Sequence, residues 1–360
     1  MRISDFGMWN EKRLGRMVNV KGGMMAVLLL ALLLSGKIVA QSSDSTTFEV
    51  AVSKYLMGTT VDLNAWHSDV RACQQAAYHA FREMERVEGL LSFQKEDSEI
   101  SRINRAAGRA AVKVSPEAYE IIRRSQHYSE SLNGWFDITV GPLSELWGFS
   151  GEGDPQLPDS SLIASLLNLI NFRDIELIPA DTSVFLPRAG MKIDLGGIAK
   201  GYAIDRGVAV LQAKGVGTFL LNAGGDVYAS GLKNGTAKWR IGVKHPRRLQ
   251  ELIAILELSD AAVATSGDYE RYFEREGKRY HHILDPRSGY PAGNCRSVTV
   301  VAKTAEEADA LATCLFVAGY AAFRTGPRPG IPFFLVDAEG TVHYSKAMAE
   351  GYHLQIVENK

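Results

Sequence analysis

The stretch Phe219–Gly231, FLLNAGGDVYASG, decides the fold class. Two apolar, strand-like runs flank Gly224-Gly225-Asp226, a composition suited to a turn between paired strands. The same punctuation continues toward the C-terminus. Lys238–His245, Leu252–Asp260, Ala262–Gly267, His281–Pro286, Ser297–Thr304 and Phe333–Ser345 alternate or run apolar between Gly, Asp and Pro turns. Two helical patterns interrupt them. One covers 198–215 (IAKGYAIDRGVAVLQAKG); the other covers 304–323 (TAEEADALATCLFVAGYAAF) and opens on Thr304 and Glu307, the spacing of a capping box.

The N-terminal half reads differently. Val70, Cys73, Ala77, Phe81, Met84, Val87 and Leu91 recur on one helical stripe, predicting a long helix over Ser68–Leu91 behind a first strand. A second helix is punctuated by Ser115 as N-cap, Pro116 in its first turn and Asn133-Gly134 at its exit. A Pro/Gly-rich passage over 141–160 leads to a short helix, SLIASLLNLI. Helices early, strands late and few β-α-β alternations predict an α+β fold with largely antiparallel sheets flanked by helices.

The chain has 360 residues, 46% hydrophobic and 22% charged, enough to bury a large core in one domain or two lobes. A boundary between lobes is expected near 150–160. Residues 1–40 read as a secretory signal: Arg13, Arg16 and Lys21 precede the apolar run Met24–Leu34, with a cut expected after Ala40. A membrane anchor is the alternative, but this run of 11 is short against the about 20 residues a bilayer needs. Met17 and Met24 are alternative starts. Residues 41–54 are expected to be a flexible lead-in to a domain over 55–360, and the protein to be exported to the periplasm. Without residues 1–40, which carry six Lys/Arg and two Asp/Glu, the formal charge moves from −1 to −5, which argues against a nucleic-acid partner. Cys73, Cys295 and Cys314 form no metal or disulfide spacing and read as buried thiols.

Four places carry possible chemistry. In ADALATCLFVAG (Ala308–Gly319), Asp309 and Thr313 are four apart and share a helix face. Such hard oxygens suit Mg²⁺, which takes one or two carboxylates; the plainer alternative is that Asp309 caps a neighbouring loop while the Thr313 hydroxyl bonds back to the carbonyl at 309. In IDLGGIAKGYAIDRG (Ile193–Gly207), two glycines sit between a strand end at Asp194 and a helix start carrying Lys200, an arrangement that favours anions. It is neither a Walker A loop nor a GxGxxG turn. Thr265, Ser266 and Gly267 at a strand end can hold a phosphate. His281 and His282 point to opposite faces of a strand, so one faces inward, and a histidine is the usual general base. Trp135, Phe136, Trp147 and Phe149 form either a core or a wall for a flat ring.

These segments, with MGTTVD (57–62), SFQKEDSEISRIN (92–104), GWFDITVGPLSELWGF (134–149), LNAGGDVYASG, ATSGDYERYF and HHILDPRSGYP, occur in an order that resembles the ApbE-type FAD:protein FMN transferases from about Tyr55 to Val357. The resemblance implies a two-lobed fold with the active site in a cleft. It implies Mg²⁺-dependent cleavage of FAD and transfer of FMN to a Thr or Ser hydroxyl of a target flavoprotein, with AMP released. Acceptors would be flavoprotein subunits of membrane-associated redox complexes or secreted flavoproteins. By the same resemblance Asp309, Thr313 and the Gly197 carbonyl hold the metal and His282 is the base. Met57, Phe93, Phe136, Asp137, Ile138, Thr139, Asp194, Lys200, Thr265, Ser266, His282, Ile283 and Asp285 line the FAD site. Phe93 stands where the family often has Tyr, which keeps ring stacking and loses a hydroxyl. The lipid-accepting cysteine of many members is missing. A Mg²⁺-dependent FAD pyrophosphatase and a non-catalytic flavin carrier are the alternative readings.

Overall fold

The computed structural model describes residues 47–149, 155–324 and 330–357. The expected signal or anchor over 1–40 lies outside the described residues. Among the described residues no helix is long and apolar enough to cross a membrane.

One eight-stranded sheet organises the chain. Its strands are β1 (Phe48–Leu56), β2 (Thr59–His67), β3 (Thr218–Ala223), β4 (Asp226–Ser230), β5 (Ala261–Gly267), β6 (Cys295–Ala302), β7 (Phe333–Asp337) and β8 (Val342–Tyr344), and they lie side by side in chain order. Every neighbouring pair is antiparallel, as the sequence predicts. Of the lead-in expected to be flexible over 41–54, residues 41–46 lie outside the described residues, and from Phe48 on the expectation is corrected by β1. Val50, Val52 and Leu56 are buried on one face of it, and the strand pairs along its length with β2, so period-two burial orders the segment.

Alternation also explains the two faces. Ala262 and Ala264 of β5 join a core with three helices, α1 (Val70–Leu91), α2 (Ala199–Ala213) and α3 (Ala305–Arg324). Ala261 and Val263 join a second core on the opposite face, under a small sheet of Trp239–Lys244, Leu252–Leu258 and Gln355–Ile356. Asp69 caps α1 through bonds from the Arg71 and Ala72 amides, so this helix starts slightly later than the stripe suggests. Ser115 caps the helix Pro116–Ser131 as read from sequence. Helix α3 is interrupted at Gly319, where φ is 75°.

A third cluster holds Leu143, Trp147, Phe149, Ile163 and Leu284. Trp147 stacks 5.7 Å from Tyr280 and donates its indole N–H to the Gly289 carbonyl at 2.9 Å. Trp147 and Phe149 are thus core, the plainer of the two readings, and they brace the hairpin Tyr272–His281 that leads into His282.

Candidate functional site

The sheet delivers several motifs to one end. Val61 pairs with Ala223, so the turns Met57-Gly58 and Gly224-Gly225 are neighbours, and the Thr265 amide donates to Asp226 Oδ1 at 3.1 Å. Ser266 lies beside them on the helix-facing side of β5; its hydroxyl is 3.4 Å from Thr313 Oγ1. Thr265 points the other way and bonds Thr299 Oγ1 at 2.9 Å. Strand alternation therefore leaves Ser266 at the cluster and ties Thr265 into the sheet.

Helices α2 and α3 complete the cluster. At the start of α2, Ala199 N–H bonds the Leu195 carbonyl and Tyr202 N–H bonds the Ile198 carbonyl, as a helix requires. Gly201 breaks the series. Its N–H goes to Asp309 Oδ2 at 3.0 Å, and the Gly197 carbonyl is left without a hydrogen-bond donor among the described residues. A Cβ placed on Gly197 would stand 3.2 Å from Thr313 Oγ1 and 3.2 Å from the Phe136 ring. The expected trio of Gly197, Asp309 and Thr313 is therefore together. The plainer alternative holds in one half and not in the other: Asp309 does accept from the neighbouring turn through the Gly201 N–H, whereas no bond from Thr313 to the carbonyl at 309 occurs among the described residues.

Electrostatics agree with a cation here. Lys200 Nζ is 2.7 Å from Asp226 Oδ2; burial works against its charge, but Asp226 and Asp309 outweigh it and keep the ammonium charged. Two buried carboxylates thus share one ammonium. Burial, then the Asp226 charge, pushes Asp309 well above the usual carboxylate range, although Lys200 and the Gly201 N–H oppose the shift. Among the described residues no three His, Cys, Asp or Glu side chains gather to hold a metal. One carboxylate with a hydroxyl and a free carbonyl is instead a donor set of the Mg²⁺ type, completed by water and substrate oxygens.

Of the two histidines, His281 is the inward one. Its Nε2 lies 2.9 Å from the Ala292 carbonyl and its ring meets Phe316 edge-on. His282 is only partly buried, with Nδ1 3.3 Å from the Arg271 carbonyl. Loss of water around the ring, then the positive charges of Arg271 and Lys200, pushes its pKa down to about 3, so the free imidazole is neutral at physiological pH.

The remaining expected residues divide. Asp137 accepts from Thr139 N and Oγ1 and from Phe172 N, so its carboxylate is occupied in shaping its own loop. Ile138 and Thr139 are buried, and the Ile138 carbonyl receives the Asp194 N–H; the strand expected to end at Asp194 is only an isolated bridge between Val140 and Lys192, and these contacts fix the Phe136 loop to the segment before Gly196. Asp194 Oδ1 accepts from Gly196 N, and Asp285 holds the turn through Arg287 and Ser288. Ile283 is buried. Met57 packs against the main core, and the Phe93 carbonyl accepts from Ser101; no hydrogen bond or ring contact among the described residues ties either to the Asp309 cluster. Asp226 and Arg271 were not singled out from sequence. An isolated acid directly behind Gly224-Gly225 is the signal that points to Asp226; nothing in the sequence distinguishes Arg271.

The profile of the ApbE family matches residues 57–326. The chain belongs to the ApbE family. An FAD:protein FMN transferase of Klebsiella pneumoniae is 39% identical over 281 residues, 77% of this chain and 84% of its own length. One from Treponema pallidum is 34% identical, over 76% of this chain and 79% of its own. Among solved structures, the ApbE protein of Thermotoga maritima superposes with a TM-score of 0.78 at 36% identity, covering 83% of this chain and 98% of that one. The flavin transferase ApbE from Vibrio cholerae gives 0.73 at 27% identity, over 84% and 98%. The mixed fold read from sequence is thus an ApbE fold.

Proposed function

We propose that this chain transfers the FMN half of FAD to a Thr or Ser hydroxyl of an acceptor flavoprotein, releasing AMP. The observation that carries the reading is the diversion of the Gly201 N–H to Asp309. It leaves the Gly197 carbonyl without a donor among the described residues, in a turn that packs against Thr313 and is bonded to Asp309. Asp309, Thr313 and Gly197 would hold Mg²⁺, which supplies neutralisation of charge on the transferring phosphate. The FAD site would lie in a cleft between two lobes, bordered by the Phe136–Thr139 loop, Asp194, Ser266 and His282.

The residues of the chain do the rest. Lys200, held charged by its two carboxylates, adds a positive field at the helix start. His282 Nε2 takes the proton from the acceptor hydroxyl as its oxygen bonds to the FMN phosphorus and the bond from that phosphorus to the oxygen bridging to AMP breaks. The proton ends on the imidazole, and AMP leaves with the bridging oxygen on its phosphate. His282 suits this task because it is uncharged before substrate arrives. Phe136 packs behind Gly197 and keeps the turn from collapsing away from Thr313.

The test is incubation with FAD, Mg²⁺ and candidate flavoprotein subunits, read by mass spectrometry for an added FMN and by chromatography for AMP. Acceptor-dependent AMP with flavinylated acceptor supports transfer. Rapid AMP release without acceptor supports the pyrophosphatase, and FAD retention without AMP supports the carrier. The expected export is checked by the intact mass of the periplasmic form, which should begin after Ala40. The acceptors would be exported or membrane-associated redox proteins.

A further inference from the structure

Helices α2 and α3 meet along a seam whose contacts step by four residues on each side. Gly197 meets Thr313, Gly201 meets Asp309, and Asp205 meets Ala305, so the two helices run antiparallel through three rungs. Gly201 also packs its backbone directly against that of Ala305 in the next rung. A Cβ on Gly201 would fall 2.2 Å from the Ala305 carbonyl oxygen, so no side chain fits there without driving the helices apart. The outer rung is a bidentate cap: Asp205 Oδ1 accepts from Ala305 N at 2.8 Å and Oδ2 from Glu306 N at 2.9 Å. Each helix therefore has a first-turn amide satisfied by a carboxylate of the other, since Asp309 of α3 accepts from Gly201 of α2.

We propose that Asp205 is a positioning residue for the metal site: by fixing the first turn of α3 against α2 it sets the register that brings Asp309 and Thr313 to the Gly197 carbonyl. The inference rests on the reading of that trio as a Mg²⁺ site. Ala305, Asp309 and Thr313 lie on one helical stripe, as do Gly197, Gly201 and Asp205. A small rotation or slide at the outer rung is carried along a rigid helix to the inner one. Both oxygens of Asp205 are needed, because an amide at this position accepts from one backbone N–H and turns its own N–H donors toward the other.

The experiment measures the Mg²⁺ concentration at half-maximal thermal stabilisation, with FAD present, for the wild-type chain, Asp205→Asn, Gly201→Ala and Ser115→Ala. Residues oriented from behind a metal ligand typically set affinity by ~10–100-fold. Asp205→Asn and Gly201→Ala are expected to raise the midpoint at least about tenfold, with FAD affinity measured without Mg²⁺ unchanged. Ser115→Ala removes the cap of a different helix, so it is expected to lower the melting temperature and leave the Mg²⁺ midpoint alone. A wild-type midpoint in Asp205→Asn, with only a lowered melting temperature, overturns the proposal. If Asp205→Asn does not fold, Asp205→Ser, which keeps one acceptor oxygen, decides by the same criterion. A wild-type chain that gains no stability from Mg²⁺ brings down the reading of the metal trio itself, and the role of Asp205 with it.

Discussion

The Lys200 ammonium lies 2.7 Å from Asp226 Oδ2, joining the first turn of α2 to the Gly224-Gly225 turn of the sheet. The Asp226 side chain is only 2% exposed, so the pair is close to fully withdrawn from water at its acidic end. Removing one partner of such a pair costs about 3–5 kcal/mol because the other charge stays buried. Lys200→Met is expected to lose stability on that scale in urea denaturation, and Lys200→Met with Asp226→Asn to recover much of it. Equal stability of Lys200→Met and the wild type would show that the pair does not brace this corner.

Asp309 accepts from Gly201 and, in the proposed function, also holds the metal. Asp309→Ala is expected to abolish both FMN transfer and FAD cleavage. It should also destabilise the fold by about 1–3 kcal/mol, since the Gly201 N–H loses its acceptor in the interior. Full transfer by Asp309→Ala at saturating Mg²⁺ would exclude the metal role.

His282→Ala should retain FAD binding while transfer falls by about 10²–10⁴-fold, the usual contribution of a general base. A shift from the ordinary 6.5 down to about 3 also has a sign for stability. Below 6.5 the unfolded chain takes up a proton that the folded chain refuses until about pH 3. Stability contributed by the neutral imidazole is therefore lost as pH falls through this window. His282→Gln should lose less stability than wild type between pH 7 and pH 4.5, checked by denaturation midpoints. An anionic substrate beside Arg271 and Lys200 opposes the depression, so the acid limb of kcat should lie at higher pH than that of kcat/KM.

Trp147 is fully buried among Phe149, Phe273 and Tyr280. Trp147→Ala is expected to cost about 3–5 kcal/mol. Trp147→Phe, which keeps most of the packing and loses the bond to Gly289, should cost about 1 kcal/mol. If His282 depends on this bracing, transfer should fall in Trp147→Phe while the Mg²⁺ midpoint stays put; kinetics at saturating FAD check this.

The antiparallel fold was legible because β5 and its neighbours are short apolar runs, buried on both faces and bounded by Gly and Asp turns, and such punctuation is a local property. So was the Asp309–Thr313 face, set by helical spacing alone. The strand at Phe48–Leu56 was missed because polar residues on its outer face resemble the preceding Ser/Thr-rich stretch. The outward turn of Thr265 follows from alternation, yet choosing between Thr265 and Ser266 needs the knowledge of which face carries the helices. Contacts between distant segments were out of reach: Asp226 with Lys200, and the Gly201 amide with a carboxylate 108 residues later. The first depends on where α2 starts against the sheet and the second on how α2 and α3 cross, which no spacing within either helix specifies.

That crossing also restricts how this chain can change its length. One residue added to α2 between Gly197 and Asp205, or to α3 between Ala305 and Thr313, would swing everything beyond it by about 100° around the helix axis. At least one of the three rungs would then face the wrong way. Insertions and deletions in functional variants should thus be absent from both nine-residue windows, however freely the sequence between the rungs is exchanged.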